Sequence, residues 1–310
     1  MIKARERHKR NIRDFQLIVM AAAGIVFLAV FAYLPMFGIA LAFKDGDKAL
    51  NIMRPLLLGT WTLDNFRGLF MDETFWQVLA NTLTINILLL IFNFPMPILF
   101  ALLMNEVNVK FLKKGVQTLC NIPHFISWVV YGGIIISLTN PSTGVVNPIL
   151  EVLGLSTAEH PIDLNLAKYF YPKIIIASIL KGIGWGSIIY SAAIAGINPE
   201  LYEAAVMDGA GRWRRAWNIT VPMIKPTIII FLFLNMSNLL SNSFEQFYVF
   251  QTTENLETTR VLATYTYNVG FTWRNYSTST AISLFEGLVS VVLLLSSNFL
   301  AKRLTGEGIF

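Results

Sequence analysis

Apolar residues recur along this chain in six long runs separated by polar stretches, a pattern that predicts membrane-crossing helices. The runs cover roughly 15–43, 77–104, 117–138, 174–197, 226–250 and 278–301. Each reaches the ~20 residues that a helix needs to cross the hydrocarbon core. The third starts weakly, because Asn121, Pro123, His124 and Ser127 interrupt it. Pro35, Pro95 and Pro97 predict kinks. The first run far exceeds the ~7–15 apolar residues of a secretory signal, and no small-x-small cleavage site follows. It is expected to remain as a span.

Composition agrees with the runs. The chain has 310 residues, 55% hydrophobic and only 14% charged, against about 25% charged for a soluble domain. A disordered chain, a disulfide scaffold and an ordinary soluble enzyme are excluded. Cys120 is the single cysteine, and His8, His124 and His160 lie far apart without metal-ligand spacing, so neither a metal site nor a catalytic set is expected.

The net charge of +5 matters through its distribution. The N-terminal tail (Lys3, Arg5, Arg7, Lys9, Arg10, Arg13), loop 105–116 (Lys110, Lys113, Lys114), loop 198–225 (Arg212, Arg214, Arg215, Lys225) and the C-terminal tail (Lys302, Arg303) hold fifteen cations. The alternate loops hold eight in far more residues, and Lys181 lies inside a span. The positive-inside rule then places both termini in the cytoplasm. An odd number of spans would break this pattern. The expected organisation is a basic cytoplasmic tail over 1–14 and a six-helix transmembrane domain over 15–310. The basic surplus is read as membrane asymmetry and lipid contact, with no nucleic-acid partner.

Loop 198–225 predicts a short helix–turn–helix. Asn198 is a good N-cap, Pro199 suits the first helical position, and Glu200 suits the first turn. A helix from Pro199 to about Met207 is expected, then a turn through Gly209 and Gly211, then an amphipathic piece from Trp213 to Ile219 that ends before Pro222. A plain interfacial connector satisfies these residues equally well. The string itself is more specific. Glu203-Ala204-Ala205, Asp208-Gly209-Ala210, Trp217, Ile219 and Pro222 resemble the EAA loop of importer-type ABC permeases, with Tyr202 before the triplet and Val221 in place of the usual Leu. Trp61-Thr-Leu-Asp-Asn-Phe66, Ser127-Trp128 and Phe244-Glu-Gln-Phe-Tyr-Val249 extend the resemblance over most of the chain. Val261-Leu262, Thr264-Tyr265 and Tyr267 resemble the branch that imports complex oligosaccharides, including polysaccharide-type systems of Gram-positive bacteria and the alginate importer, relatives of the maltose permeases.

The resemblance implies an all-α polytopic protein with six transmembrane helices in the type I ABC importer permease fold, in a bacterial cytoplasmic membrane. It implies a second permease subunit, expected to be a different chain, two ATPase subunits, and an extracellular solute-binding protein that delivers an oligosaccharide. ATP and Mg would be used by the ATPase subunits, with no cofactor on this chain and no enzymatic activity of its own. The absence of a G-x-x-x-x-G-K-[ST] string fits that division. Tyr202, Glu203, Ala204, Ala205, Asp208, Gly209 and Ala210 are the implied ATPase-coupling residues, with Glu203 fixing the docked helix and Gly209 making the turn.

Polar residues inside spans are costly and therefore informative. Asn235, Asn238, Asn242 and Glu245 fall on one face of the predicted fifth helix. Ser279, Ser283, Glu286 and Ser290 do so on the sixth, and Lys181 and Trp185 lie one turn apart on the fourth. These residues are candidates for a sugar path. The plainer reading is interhelical hydrogen bonding, with Lys181 paired to Glu245 or Glu286. His124, Trp128 and Tyr131 share a face of the third run, as packing or gate residues. Gly182, Gly184 and Gly186 predict close helix packing. Other functions remain open at this point: an ABC permease for amino acids, peptides or polyamines, a secondary transporter, which would show inverted repeats, or a membrane enzyme of polysaccharide assembly.

Overall fold

The computed structural model describes residues 16–45, 53–157, 159–241 and 243–305. The cations of the tail over 1–14, Lys48 and Asn242 lie outside the described residues. The chain forms two compact units, 1–71 with 267–284 and 72–266 with 285–310. Among the described residues the regular structure is all helical, and the one β contact is an isolated bridge, Lys44 with Trp61.

In the first unit, span 1 (Gln16–Phe43) has no buried residue in its most apolar window. Its side chains, such as Phe27 and Phe31, are exposed, as a lipid-facing helix requires. A π turn, Ala29–Tyr33, precedes Pro35. The proline ring would collide with the carbonyl four residues back, and the longer π spacing relieves that clash. The Trp61–Phe66 stretch clamps the end of this span. Asn65 Nδ2 donates to the carbonyls of Ala42 (3.1 Å) and Lys44 (2.8 Å). Lys44 donates to Gly59 O at 2.8 Å and sits over the Trp61 ring.

In the second unit, span 2 (Glu73–Asn105) consists of helices Glu73–Phe92 and Pro95–Asn105 with a break at Asn93 and Phe94, where Pro95 was expected to act. Span 4 (Ala167–Ala195) packs on the second half of span 2 and on Lys110–Phe125. Span 5 is Arg212–Ser237 and span 6 is Tyr276–Arg303, which this unit receives from residue 285 onward. Among the described residues five helices are long and apolar enough to cross a membrane, and six if the bent pair Lys110–Phe125 and Trp128–Leu138, meeting at 105°, is one broken span.

Three sequence expectations require correction. The third run is not one helix. Pro123 weakens its ladder, and Ser127 starts a new helix by accepting from Val130 N, so His124 does not share a helical face with Trp128 and Tyr131. The fifth span ends at Ser237, not near 250. Asn235, Ser237 and Asn238 turn their side chains back onto the carbonyls of Phe231 and Leu234, which competes with helix propagation. Phe244–Tyr248 is a separate short helix, so Glu245 lies on a different element from Asn235. The piece after Gly211 does not stop before Pro222 either. It runs into span 5 through a π segment, Ala216–Thr220, the same accommodation of a proline as in span 1.

The glycines of span 4 behave as expected at two positions. A methyl group at Gly184 would overlap the Cys120 carbonyl and approach Asn121 Oδ1 to 2.7 Å, and one at Gly186 would approach Pro97 Cγ to 2.9 Å. At Gly182 the nearest atom is 4.0 Å away. Gly184→Ala should therefore lower stability by roughly 1–3 kcal/mol through overpacking. Gly182→Ala should be neutral or slightly stabilising, since alanine favours helix. Thermal unfolding of the detergent-solubilised variants checks this contrast.

Candidate coupling loop and transport path

Helix Pro199–Met207 forms with the predicted boundaries. Asn198 Oδ1 accepts from Glu200 N at 3.1 Å, and Pro199 occupies the first turn, where no donor is needed. The far end closes on two bonds. Gly209 N donates to Val206 O at 3.0 Å and Ala210 N to Ala205 O at 2.8 Å. Gly209 has φ +76°. This is a Schellman ending, which needs a residue free of a Cβ four positions after the carbonyl that receives the outer bond. The spacing between Ala205 and Gly209 thus has a backbone cause.

Tyr202 fastens the helix to the membrane domain. Its hydroxyl lies 2.9 Å from Thr220 Oγ1, and its ring packs on the cluster of Ala101, Tyr190, Ile194, Ile197 and Ile224. Glu203, Ala204, Asp208 and Gly209 are exposed on the other side. So are Leu201, Val206 and Met207, the last 87% exposed. The helix thus carries an exposed apolar edge beside small residues and acidic groups.

These features coincide with a known family. A model of the binding-protein-dependent transport system inner membrane component matches residues 98–306. The chain belongs to this family. Protein LplB of Bacillus subtilis is 39% identical to the permease over 298 residues, covering 96% of this chain and 92% of the relative. The polygalacturonan/rhamnogalacturonan transport system permease protein YteP of the same organism is 38% identical, covering 100% and 96%. A crystal structure of a bacterial alginate ABC transporter, in complex with an alginate pentasaccharide-bound periplasmic protein, contains a chain that is 38% identical. It superposes with a TM-score of 0.84 over 97% of the permease and 98% of that chain. The permease is thus a multi-pass inner membrane transport component with the type I importer fold, not an enzyme.

The polar residues of the permease's spans sort into two places. Asn235 and Asn238 line a pocket of about 220 Å³ with Asn86, Asn93, Ser241, Ser243 and Gln246. Asn86 Nδ2 donates to Leu239 O at 2.6 Å and Gln246 Nε2 to Ser178 Oγ at 2.9 Å. Among the described residues the buried Asn93 Oδ1 has no hydrogen-bond partner. Sequence reasoning missed Asn86, Asn93 and Gln246. The seven-residue spacing of Asn86 and Asn93 within an apolar run was the available signal. Glu245 and Ser283 are exposed and Glu286 is half-buried.

Lys181 sits elsewhere. It is 7% exposed, and its ammonium donates to the carbonyls of Pro123 (2.8 Å), His124 (3.3 Å) and Ile126. It also lies over the Trp128 and Tyr131 rings, 5.3 Å from each centroid. Among the described residues it forms no ion pair, so neither expected glutamate partner is used. Trp185, one turn on, stacks on His124 at 4.5 Å and 4°. Lys181 thus serves carbonyls at the break in span 3, where Pro123 O also accepts from Ile126 N at 3.3 Å.

At the end of span 2 remote from the coupling loop, Asp72 caps helix Glu73–Phe92 by accepting from Thr74 N at 2.9 Å. It also accepts from the Tyr265 hydroxyl at 2.6 Å. Burial opposes the Asp72 charge, but the bonds from Tyr265 and Thr74, with Arg260 nearby, outweigh it and hold the carboxyl below its ordinary value of 3.8. Burial first, and then the Asp72 bond, push the Tyr265 phenol up. A carboxyl depressed by folding stabilises above its unfolded pKa and loses that contribution as pH falls through its folded value. The contact should therefore persist through mildly acidic conditions and fail only below the usual carboxylate range. Thermal unfolding against pH should show this acid step in the wild type and lack it in Asp72→Asn.

Proposed function

We propose that this permease imports an oligosaccharide, delivered by an extracellular binding protein, in a complex with a second permease subunit and two ATPase subunits that use ATP and Mg. The helix Pro199–Met207, anchored through Tyr202 and closed at Gly209, carries this reading. It presents Glu203, Ala204, Ala205, Asp208 and Ala210 as the face that enters an ATPase cleft. The charge asymmetry supports cytoplasmic termini and a cytoplasmic coupling loop. The amide-lined pocket supports a sugar as cargo, because hydroxyl-rich ligands match Asn and Gln, which both donate and accept. The relatives' polygalacturonan, rhamnogalacturonan and alginate point the same way. Asn86, Asn93, Asn235, Asn238 and Gln246 are the proposed contacts, and Lys181 shapes the span beside them. Asn242 lies between Ser241 and Ser243 in sequence and stays a candidate. Glu245, Ser283 and Glu286 have less support, since none lines that pocket.

The partner assignment is tested by purifying the tagged permease from membranes that contain the whole system. ATPase subunits should co-purify in amounts comparable to the permease. A permease that retains full uptake while purifying without any ATPase would be a secondary transporter instead.

A further inference from the structure

A second pocket lies against the coupling loop. It has a volume of about 430 Å³ and lies between the end of span 2 and the start of span 5. Leu99, Leu102 and Leu103 form one wall and Trp213, Ala216 and Trp217 the other. At its mouth Arg212 Nε lies 3.9 Å from Glu106. Apart from that pair the lining is hydrocarbon and indole, so a polar sugar or nucleotide finds no partners inside.

The surroundings point to one occupant. Trp213 and Trp217 are more than half exposed, and tryptophan favours the headgroup level of a bilayer. Arg212, Arg214 and Arg215 open this helix, and Lys110, Lys113 and Lys114 open the next one after Glu106. Of these cations Arg212 lines the slot, and Arg214 and Arg215 follow it within three residues on the same helix. An apolar slot lined by two exposed tryptophans and by the first arginine of a basic helix matches an acyl chain attached to an anionic headgroup. We propose that this pocket binds an anionic phospholipid, its acyl chain between the leucines and tryptophans and its phosphate against the arginines. The site begins one residue after Gly211, so lipid bound there braces the base of the coupling helix. Anionic lipid should then raise the coupled activity of the complex.

Binding is tested apart from the coupling role, since the latter rests on the proposed function. The intact complex is reconstituted in phosphatidylcholine with or without phosphatidylglycerol, then re-extracted, and retained lipid is measured by mass spectrometry. Wild type should retain phosphatidylglycerol in preference to phosphatidylcholine. Leu103→Trp, which fills the slot from an exposed position, should reduce that retention about tenfold. Arg212→Gln, which keeps the packing, should remove the preference for the anionic lipid. Substrate-stimulated ATP hydrolysis should rise severalfold with phosphatidylglycerol in wild type and not in Leu103→Trp. Equal retention of the two lipids by wild type, or unchanged retention in Leu103→Trp, overturns the proposal even if the ATPase partnership holds. Cross-linking of Leu103→Cys to the second permease subunit would also overturn it, by showing a protein in the slot.

Discussion

Gly209→Pro is expected to abolish uptake while the permease still inserts and still purifies with its partners in part. Proline holds φ near −65°, whereas Gly209 stands at +76°. It also removes the N–H that Gly209 donates to Val206 O. The Schellman ending cannot form, and the direction in which the chain leaves the coupling helix changes. A non-glycine residue in this region costs about 1–2 kcal/mol even without the ring, so Gly209→Ala should be a milder version of the same defect. No atom lies within 4 Å of an added Cβ there, so any loss in Gly209→Ala comes from backbone conformation rather than collision. ATP hydrolysis and sugar uptake should be measured in the same vesicles. The ratio of uptake to hydrolysis should fall in both variants, further in Gly209→Pro. Unchanged coupling in Gly209→Pro would remove the turn from the mechanism.

Lys181→Met should be the most damaging change inside the spans. Methionine keeps most of the stem volume but offers no donor to the carbonyls of Pro123, His124 and Ile126. A buried polar group left unmet costs roughly 1–3 kcal/mol, and more than one is left here. The bend of span 3 should loosen, and with it the contact of Lys110–Phe125 with span 4. Cys120 reports this directly, because it is the only cysteine and its carbonyl abuts Gly184. Its maleimide labelling should accelerate in Lys181→Met, together with lower thermal stability and loss of uptake. Lys181→Arg, which retains donors, should recover part of each. Wild-type labelling in Lys181→Met would show that the bend holds without the ammonium.

Much of this architecture was legible in residue order. Hydrophobic run length located the membrane segments, and local capping chemistry located helix Pro199–Met207, since Asn198, Pro199 and Gly209 act through neighbours only a few positions away. What was not legible depended on side chains turning back on the main chain or on distant partners. The periodicity of Asn235, Asn238, Asn242 and Glu245 imitated a helical stripe, but Asn235 and Asn238 bond back to the carbonyls of Phe231 and Leu234, where the helix ends. Lys181 read as a path residue or one half of an ion pair. Its actual acceptors are main-chain carbonyls more than fifty positions away, at a break whose 105° angle no residue count supplies. Prolines misled in a related way: Pro222 signalled a stop, yet a π segment carries the helix through it. The amide pocket is assembled from spans distant in sequence, so only its Asn235 and Asn238 were visible beforehand.

The permease imports an oligosaccharide, and in the mechanism proposed above the driving energy reaches it through loop 198–225. The most direct measurement is accumulation of labelled oligosaccharides, neutral and uronate-containing, in vesicles that hold the complete complex with its binding protein. Accumulation is expected only with ATP and binding protein present, and is expected to be lost in Gly209→Pro. Accumulation driven by an ion gradient without ATP, or uptake of amino acids or polyamines with no oligosaccharide transported, would overturn this mechanism.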